Sequence, residues 1–176
     1  MNASRFLLLV SSTVCLPAFA QFGGGHEFTV EGPQSLELVD LTNDGARDLL
    51  IGSRNGLVVH VNLGQSFGPA QSWNTTDVVG HATDVDGDGW IDIVGCDEQG
   101  NTITWYRNVG TFGLGPAEVV CNGPTALAIA SGDLDGDGDT DLLITTTTGQ
   151  LRWMENTNGL GQFNLGGIVA GPVSAE

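Results

Sequence analysis

The sequence predicts an all-β fold built from repeats, and three observations lead to that prediction. A nine-residue unit rich in aspartate occurs three times, with starts 44 and then 49 residues apart. Short apolar runs bounded by Gly, Asn and Asp lie between these units, and no window beyond the N-terminus keeps a helical periodicity. A repeat of this length with about four short strands matches one blade of a β-propeller. We therefore expect a partial β-propeller of about three four-stranded blades.

The first segment, residues 1–20, has the features of a secretory signal peptide. A short stretch with one arginine precedes an apolar run that is too short to cross a bilayer as a helix. Ala18-Phe19-Ala20 then supplies small residues at a cleavage site, so the mature chain is expected to begin at Gln21. No later stretch approaches the ~20 apolar residues of a transmembrane helix. The sequence thus predicts a secreted, extracellular protein without a transmembrane segment.

The remainder, 21–176, divides into three repeats over about 28–76, 77–121 and 122–170, followed by the start of a possible fourth. Late in each repeat an asparagine recurs: Asn62, Asn108 and Asn156. Because the last repeat is only begun, two interpretations remain open. The chain is either a truncated propeller or an arc that self-associates through open blade edges, since unpaired strands invite association.

The charge balance limits the class of partner. The chain has 21 Asp+Glu against 5 Lys+Arg, a formal net charge of −16. Nucleic acid is excluded as a partner because its phosphate backbone is bound through basic patches. The three aspartate-rich units contain twelve of the acidic residues, so most of the charge belongs to local sites and not to a solvated tail.

The aspartate units follow the pattern D-x-D-G-D-G-x-x-D, in which alternate carboxylates can point toward one cation while glycine permits a tight turn. The candidate metal ligands are Asp84, Asp86, Asp88, Asp92 and the carbonyl of Trp90 in the second unit; Asp133, Asp135, Asp137, Asp139 and Asp141 in the third; and Asp40, Asp44 and Asp48 in the first. Hard oxygen ligands in this number favour Ca²⁺, and the absence of His and Cys from the three units disfavours zinc. The alternative to three cation sites is a set of solvated acidic turns.

An EF-hand is excluded because Ile51, Gly95 and Ile144 occupy the positions where its loop needs a glutamate. Thr42 replaces an aspartate in the first unit, which is therefore expected to be the weakest site.

These units, each followed by an aliphatic strand and a later Phe-Gly segment such as Phe67-Gly68, resemble the FG-GAP/VCBS repeat family of propeller blades with calcium loops. The resemblance covers about residues 27–176. It implies that Ca²⁺ lies in the loop between the first two strands of each blade. It also implies extracellular binding, cell adhesion or scaffolding, with an extracellular protein or carbohydrate as ligand and no catalysis.

Three further questions stay open from the sequence. One alternative function is a secreted propeller enzyme, a polysaccharide lyase or hydrolase, although no histidine lies in a nucleophile motif. A second alternative is a truncated fragment without independent function. Cys96 and Cys121 can form a disulfide or remain free thiols. If an exposed aromatic side chain contacts a ligand, Trp90 is the first candidate.

Overall fold

The structure, a computed structural model, describes residues 27–73, 75–97, 102–110, 113–122 and 126–170. The predicted signal peptide and the predicted start of a fourth repeat lie outside these residues. In the part of the chain that is described, no helix has the length and apolar character needed to cross a membrane.

Within the described residues, twelve strands form three antiparallel sheets of four strands each, which confirms the all-β prediction and the partial β-propeller. The first sheet contains β1 (Pro33–Val39), β2 (Asp48–Ser53), β3 (Gly56–His60) and β4 (Gln71–Trp73). The second contains β5 (Asp77–Thr83), β6 (Asp92–Asp97), β7 (Thr102–Asn108) and β8 (Leu114–Asn122). The third contains β9 (Ala126–Gly132), β10 (Asp141–Thr146), β11 (Leu151–Asn156) and β12 (Phe163–Ala170).

The strands follow one another in space as they do along the chain, so each sheet is a simple meander. The first strand of each sheet lies at one edge and the fourth at the other. The second strand of each sheet is the most deeply buried, and all six residues of β2 are buried. A strand buried on both faces needs apolar side chains at successive positions, which explains Leu49-Leu50-Ile51.

The cores lie between successive sheets. Leu50, Leu57 and Val59 of the first sheet pack with Ile93 and Tyr106 of the second. The opposite face of the second sheet packs on the third through a larger cluster: Val85, Val94, Cys96, Ile103, Trp105, Ala126, Leu142, Ile144 and Met154. Trp105 therefore packs between blades. The three sheets are stacked side by side as blades, and within the described residues they do not close into a ring.

Cys96 and Cys121, the two cysteines among the described residues, are free thiols in the structure. Cys96 on β6 and Cys121 on β8 both lie opposite Ile103, which belongs to the intervening strand β7. Two strand spacings amount to roughly 9–10 Å, whereas a disulfide joins Cα atoms about 4.4–6.8 Å apart. The open question from the sequence is thus answered in favour of two free thiols.

Candidate functional site

The three aspartate-rich loops occupy equivalent places in the fold. Each connects the first and second strands of its sheet, at 40–47, 84–91 and 133–140. The antiparallel pairing on both sides of the loop makes each one the tip of a hairpin. The loops therefore lie where the resemblance to calcium-binding blades places them.

The first carboxylate of each loop holds the turn together through backbone hydrogen bonds. The amide of Gly89 donates to Asp84 Oδ2 at 3.0 Å, and that of Gly138 donates to Asp133 Oδ2 at 3.1 Å. Gly89 and Gly138 have φ of 88° and 93°, a conformation that favours glycine. The spacing of the motif thus follows in part from the needs of the turn itself.

The last aspartate of each loop is a structural anchor. Asp92 is fully buried and accepts hydrogen bonds from the Val85 amide at 3.1 Å and the Asn108 amide at 2.7 Å. Asp48 and Asp141 are equally buried and make the equivalent pair of bonds. Burial raises the pKa of Asp92 to about 6. A carboxylate whose two oxygens both bind backbone amides fastens the hairpin to the neighbouring strand.

Two groups of carboxylates come close enough to share a cation. In the second loop these are Asp84, Asp86 and Asp88; in the third they are Asp133, Asp135 and Asp141. Within each group the ligand atoms lie within 4.8 Å of one another. Oδ1 of Asp84 is buried and has no hydrogen-bond partner among the described residues. A buried carboxylate oxygen without a partner is costly, and an oxygen-binding cation would satisfy it.

An arginine partly neutralises the second loop. Arg107 approaches Asp86 Oδ2 at 2.5 Å and Asp88 Oδ2 at 3.4 Å, while its own side chain is 46% exposed. The pKa of Asp86 is nevertheless raised, because burial outweighs the favourable charge of Arg107. The guanidinium of Arg107 therefore offsets only part of the effect of burial on Asp86.

The remaining predicted ligands are arranged differently. Asp137 and Asp139 are outside the third group, although the Asp139 amide donates to Asp137 Oδ1 at 2.9 Å. Trp90 is half-buried, and a Cβ at Gly110 would lie 3.2 Å from its ring. The Trp90 ring thus packs on the turn after β7, and its backbone carbonyl remains the predicted ligand.

The first loop differs from the other two. Asp40, Asp44 and Asp48 form no such group among the described residues, and both oxygens of Asp40 accept backbone amides of the loop. Thr42 Oγ1 is buried without a hydrogen-bond partner in the described part of the chain. Asn43 takes a φ of 57°, the conformation that glycine adopts in the other two loops. These features agree with the expectation that this is the weakest site, which stays a prediction.

Sequence reasoning found the recurring asparagine but assigned it no role. Asn156 accepts the Gly161 amide and donates to two carbonyls, Thr140 in its own sheet and Val85 in the preceding one. The recurrence of this asparagine 14, 16 and 15 residues after the last aspartate of the three loops was the available signal. Its side chain links the aspartate loops of neighbouring sheets.

A second polar group was not found from the sequence because its members come from three different repeats. His81 Nε2 lies 2.9 Å from Ser131 Oγ, and His81 Nδ1 lies 3.3 Å from Glu37 Oε2. Glu37, His81 and Ser131 belong to β1, β5 and β9, the first strands of their sheets. Only the stacking of the sheets brings these three side chains together.

A cavity of about 520 Å³ lies beside the first sheet. Phe28 and His60 form one wall with ring centroids 4.7 Å apart, and Phe67 packs edge-on against Phe28 at 5.3 Å. Glu27, Asn55 and Ser72 contribute polar groups to the lining. A concave site with aromatic walls and a few polar groups suits a small organic ligand.

The comparisons with known proteins agree with this architecture. Among solved structures, the chain is similar to one described as the structural basis of recognition of non-reducing terminal N-acetylglucosamine by an Agrocybe aegerita lectin, with a TM-score of 0.57 and 26% identity. The match covers 78% of this chain and 38% of that chain, so the similarity spans well under half of the lectin. The comparison with curated proteins gave no match. Residues 84–144 match the family model described as an FG-GAP-like repeat, which confirms that this chain contains the repeat that its sequence resembles.

Proposed function

We propose that the chain is a secreted, calcium-binding repeat module that binds an extracellular carbohydrate or protein, and that its aspartate loops are structural and not catalytic. The observation that carries the proposal is the group of Asp84, Asp86 and Asp88, in which a buried carboxylate oxygen has no hydrogen-bond partner among the described residues. Ca²⁺ takes six to eight oxygen ligands in flexible geometry, which suits such a loop. Secretion is supported by the predicted signal peptide.

The residues that would hold calcium can be named from the geometry. In the second loop they are Asp84, Asp86 and Asp88, with the carbonyl of Trp90 as a further oxygen. In the third loop they are Asp133, Asp135 and Asp141. Bound calcium would relieve the repulsion among these carboxylates and stiffen the hairpin tip. Because Thr42 stands in place of an aspartate, the first loop would bind most weakly.

Carbohydrate is the ligand class we favour, because the similar solved structure is that of a lectin. The cavity beside the first sheet offers a place for it. Sugar rings stack on aromatic faces, and Phe28 and His60 provide such faces next to the carboxylates of Glu27 and Glu31. Trp90 remains the alternative contact, since its ring lies beside a calcium loop and is only half-buried.

The test is binding of glycans with a non-reducing terminal N-acetylglucosamine, measured by calorimetry in calcium and again in EGTA. We expect saturable binding in calcium, weakened at least about tenfold by Phe28→Ala if the cavity is the site. Trp90→Ala distinguishes the alternative contact, and Leu63→Ala, an exposed apolar side chain on the first sheet's last turn, is the control. Absence of binding to a panel of glycans, by a folded protein, would leave a protein ligand as the remaining class.

A further inference from the structure

A row of three side chains, joined by one hydrogen bond and one imidazole–carboxylate contact, crosses all three sheets. Ser131 Oγ lies 2.9 Å from His81 Nε2, and His81 Nδ1 lies 3.3 Å from Glu37 Oε2. These are the distances expected of a nucleophile, its base and the group that orients the base. The aspartate loops do not use any of the three residues, and the proposed calcium binding does not require them.

The Glu37 carboxylate, at one end of the row, determines the direction of the hydrogen bonds. Glu37 Oε2 also accepts the Ala82 amide at 3.0 Å, which holds the carboxylate in place. The pKa of Glu37 is lowered; burial raises it, but the hydrogen bonds from His81 and Ala82 outweigh that effect. An ionised carboxylate can only accept, so His81 Nδ1 carries the proton that it donates to Glu37. In the neutral imidazole with this tautomer, the lone pair of Nε2 is left to accept the Ser131 hydroxyl proton.

The row is also accessible. The side chains of His81 and Glu37 are 21% and 32% exposed, and Ser131 is half-buried. All three side chains are therefore within reach of solvent.

We propose that Ser131 is an activated nucleophile that carboxylic esters acylate, with His81 as its general base and Glu37 as the residue that positions His81. Ser131 Oγ bonds to the carbonyl carbon while its proton passes to His81 Nε2. The ester C–O bond then breaks, and His81 returns the proton to the departing alcohol oxygen. Water, deprotonated by the same histidine, then attacks the acyl carbon. The acyl–Oγ bond breaks, His81 returns the proton to Ser131 Oγ, and a carboxylic acid is released.

The test uses the full chain and a fluorophosphonate probe, which reacts with activated serines. We expect one adduct per chain, located on Ser131 by peptide mass spectrometry, and a burst of about one equivalent of p-nitrophenol from p-nitrophenyl acetate. Ser131→Ala abolishes both signals. His81→Gln slows them by about 10²-fold or more while the protein remains folded, because a general base contributes about 10²–10⁴ in rate. Ser66→Ala, in the turn between β3 and β4, leaves them unchanged.

The alternative is that the row of Glu37, His81 and Ser131 only stabilises the packing of the first strands, β1, β5 and β9, against one another. In that case Ser131→Ala lowers the midpoint of thermal unfolding, but the unsubstituted protein gives no adduct on Ser131. An adduct that forms at the same rate after His81→Gln would equally overturn the proposal. Because the decisive labelling uses the unsubstituted chain, the result does not depend on whether a variant folds.

Discussion

Asn108 in the second sheet donates a hydrogen bond from Nδ2 to the backbone carbonyl of Leu41 in the first, at 2.9 Å, across 67 residues of sequence. Nδ2 also donates to the Ile91 carbonyl of its own loop, at 3.0 Å. Leu41 and Ile91 belong to neighbouring aspartate loops, so one buried amide group connects the two. Asn156 repeats the arrangement one sheet further along, with a 2.9 Å bond to the Val85 carbonyl.

The first prediction concerns this connection between sheets. Asn108→Ala leaves the Leu41 and Ile91 carbonyls and the Gly110 amide without their partner, and buried unsatisfied groups cost about 1–3 kcal/mol each. We expect the free energy of unfolding to fall by at least about 3 kcal/mol. Urea denaturation followed by tryptophan fluorescence measures it.

Asn62→Ala is the matched control for that experiment. Asn62 makes the same bonds within its own sheet, to the Arg47 carbonyl and from the Gly64 amide, and it is only half-buried. Among the described residues, the Asn62 side chain makes no hydrogen bond to another sheet. Equal destabilisation by the two substitutions would show that the link between sheets contributes nothing.

The second prediction separates the anchor of a loop from its cation ligands. Asp92→Ala removes two buried backbone bonds, so we expect it to lower stability by roughly 2–4 kcal/mol with or without calcium. Asp84→Asn keeps the shape of the loop, and we expect it to lower calcium affinity while changing calcium-free stability little. Thermal unfolding in EDTA and in excess calcium compares them. If both variants behave alike in the two conditions, the two aspartates do not have distinct roles.

The third prediction is a pH dependence at Asp77, a buried carboxylate that accepts hydrogen bonds from the hydroxyls of Tyr106 and Thr104. Burial raises the pKa of Asp77; the bond from Tyr106 opposes the rise, and the nearby Asp97 carboxylate adds to it. The folded protein therefore binds this proton more tightly than the unfolded chain. Ionisation of Asp77 reduces stability as pH increases from about 4.

We accordingly expect Asp77→Asn to be more stable than the unsubstituted protein at neutral pH, and the difference to vanish below about pH 4. The asparagine retains one oxygen that can accept from Tyr106. Unfolding in EDTA over this pH range measures the difference, with Glu118→Gln, an exposed carboxylate on β8, as control. A difference that is independent of pH would rule out ionisation of Asp77 as its cause.

The fourth prediction concerns self-association through the third sheet. Leu41 and Val85 follow the first aspartate of their loops and are 1% exposed, because the next sheet covers them. Leu134 has the equivalent position in the third loop and is 42% exposed. We expect the chain to associate through this face at high concentration and Leu134→Glu to weaken that association. Sedimentation velocity across a concentration series measures it, and a particle mass of one chain at all concentrations would contradict it.

How much could be read from the sequence differs between elements. The period of the repeats and the turn-bounded apolar runs were sufficient to predict the sheets, because each blade is a meander of strands that are consecutive in the sequence. The same holds for the carboxylate groups, since Asp84, Asp86 and Asp88 are close in sequence as well as in space. The motif did not indicate that Asp92 also anchors the loop, because both of its oxygens bind backbone amides; its role as a ligand stays a prediction.

Contacts between repeats could not be read in the same way. The row of Glu37, His81 and Ser131 depends on how three sheets stack, and no spacing within one repeat encodes it. The free thiols are a similar case. Only the strand order places β7 between Cys96 and Cys121 and keeps them too far apart to bond.

Calorimetric titration of calcium into the folded chain tests the central claim most directly, with thermal unfolding recorded before and after. We expect two ions per chain, one at 84–92 and one at 133–141, with dissociation constants of about 10⁻⁴–10⁻³ M and a rise in the unfolding midpoint. Asp84→Asn should reduce the count to one. A folded protein that takes up no calcium and unfolds at the same temperature in calcium and in EGTA would contradict the account.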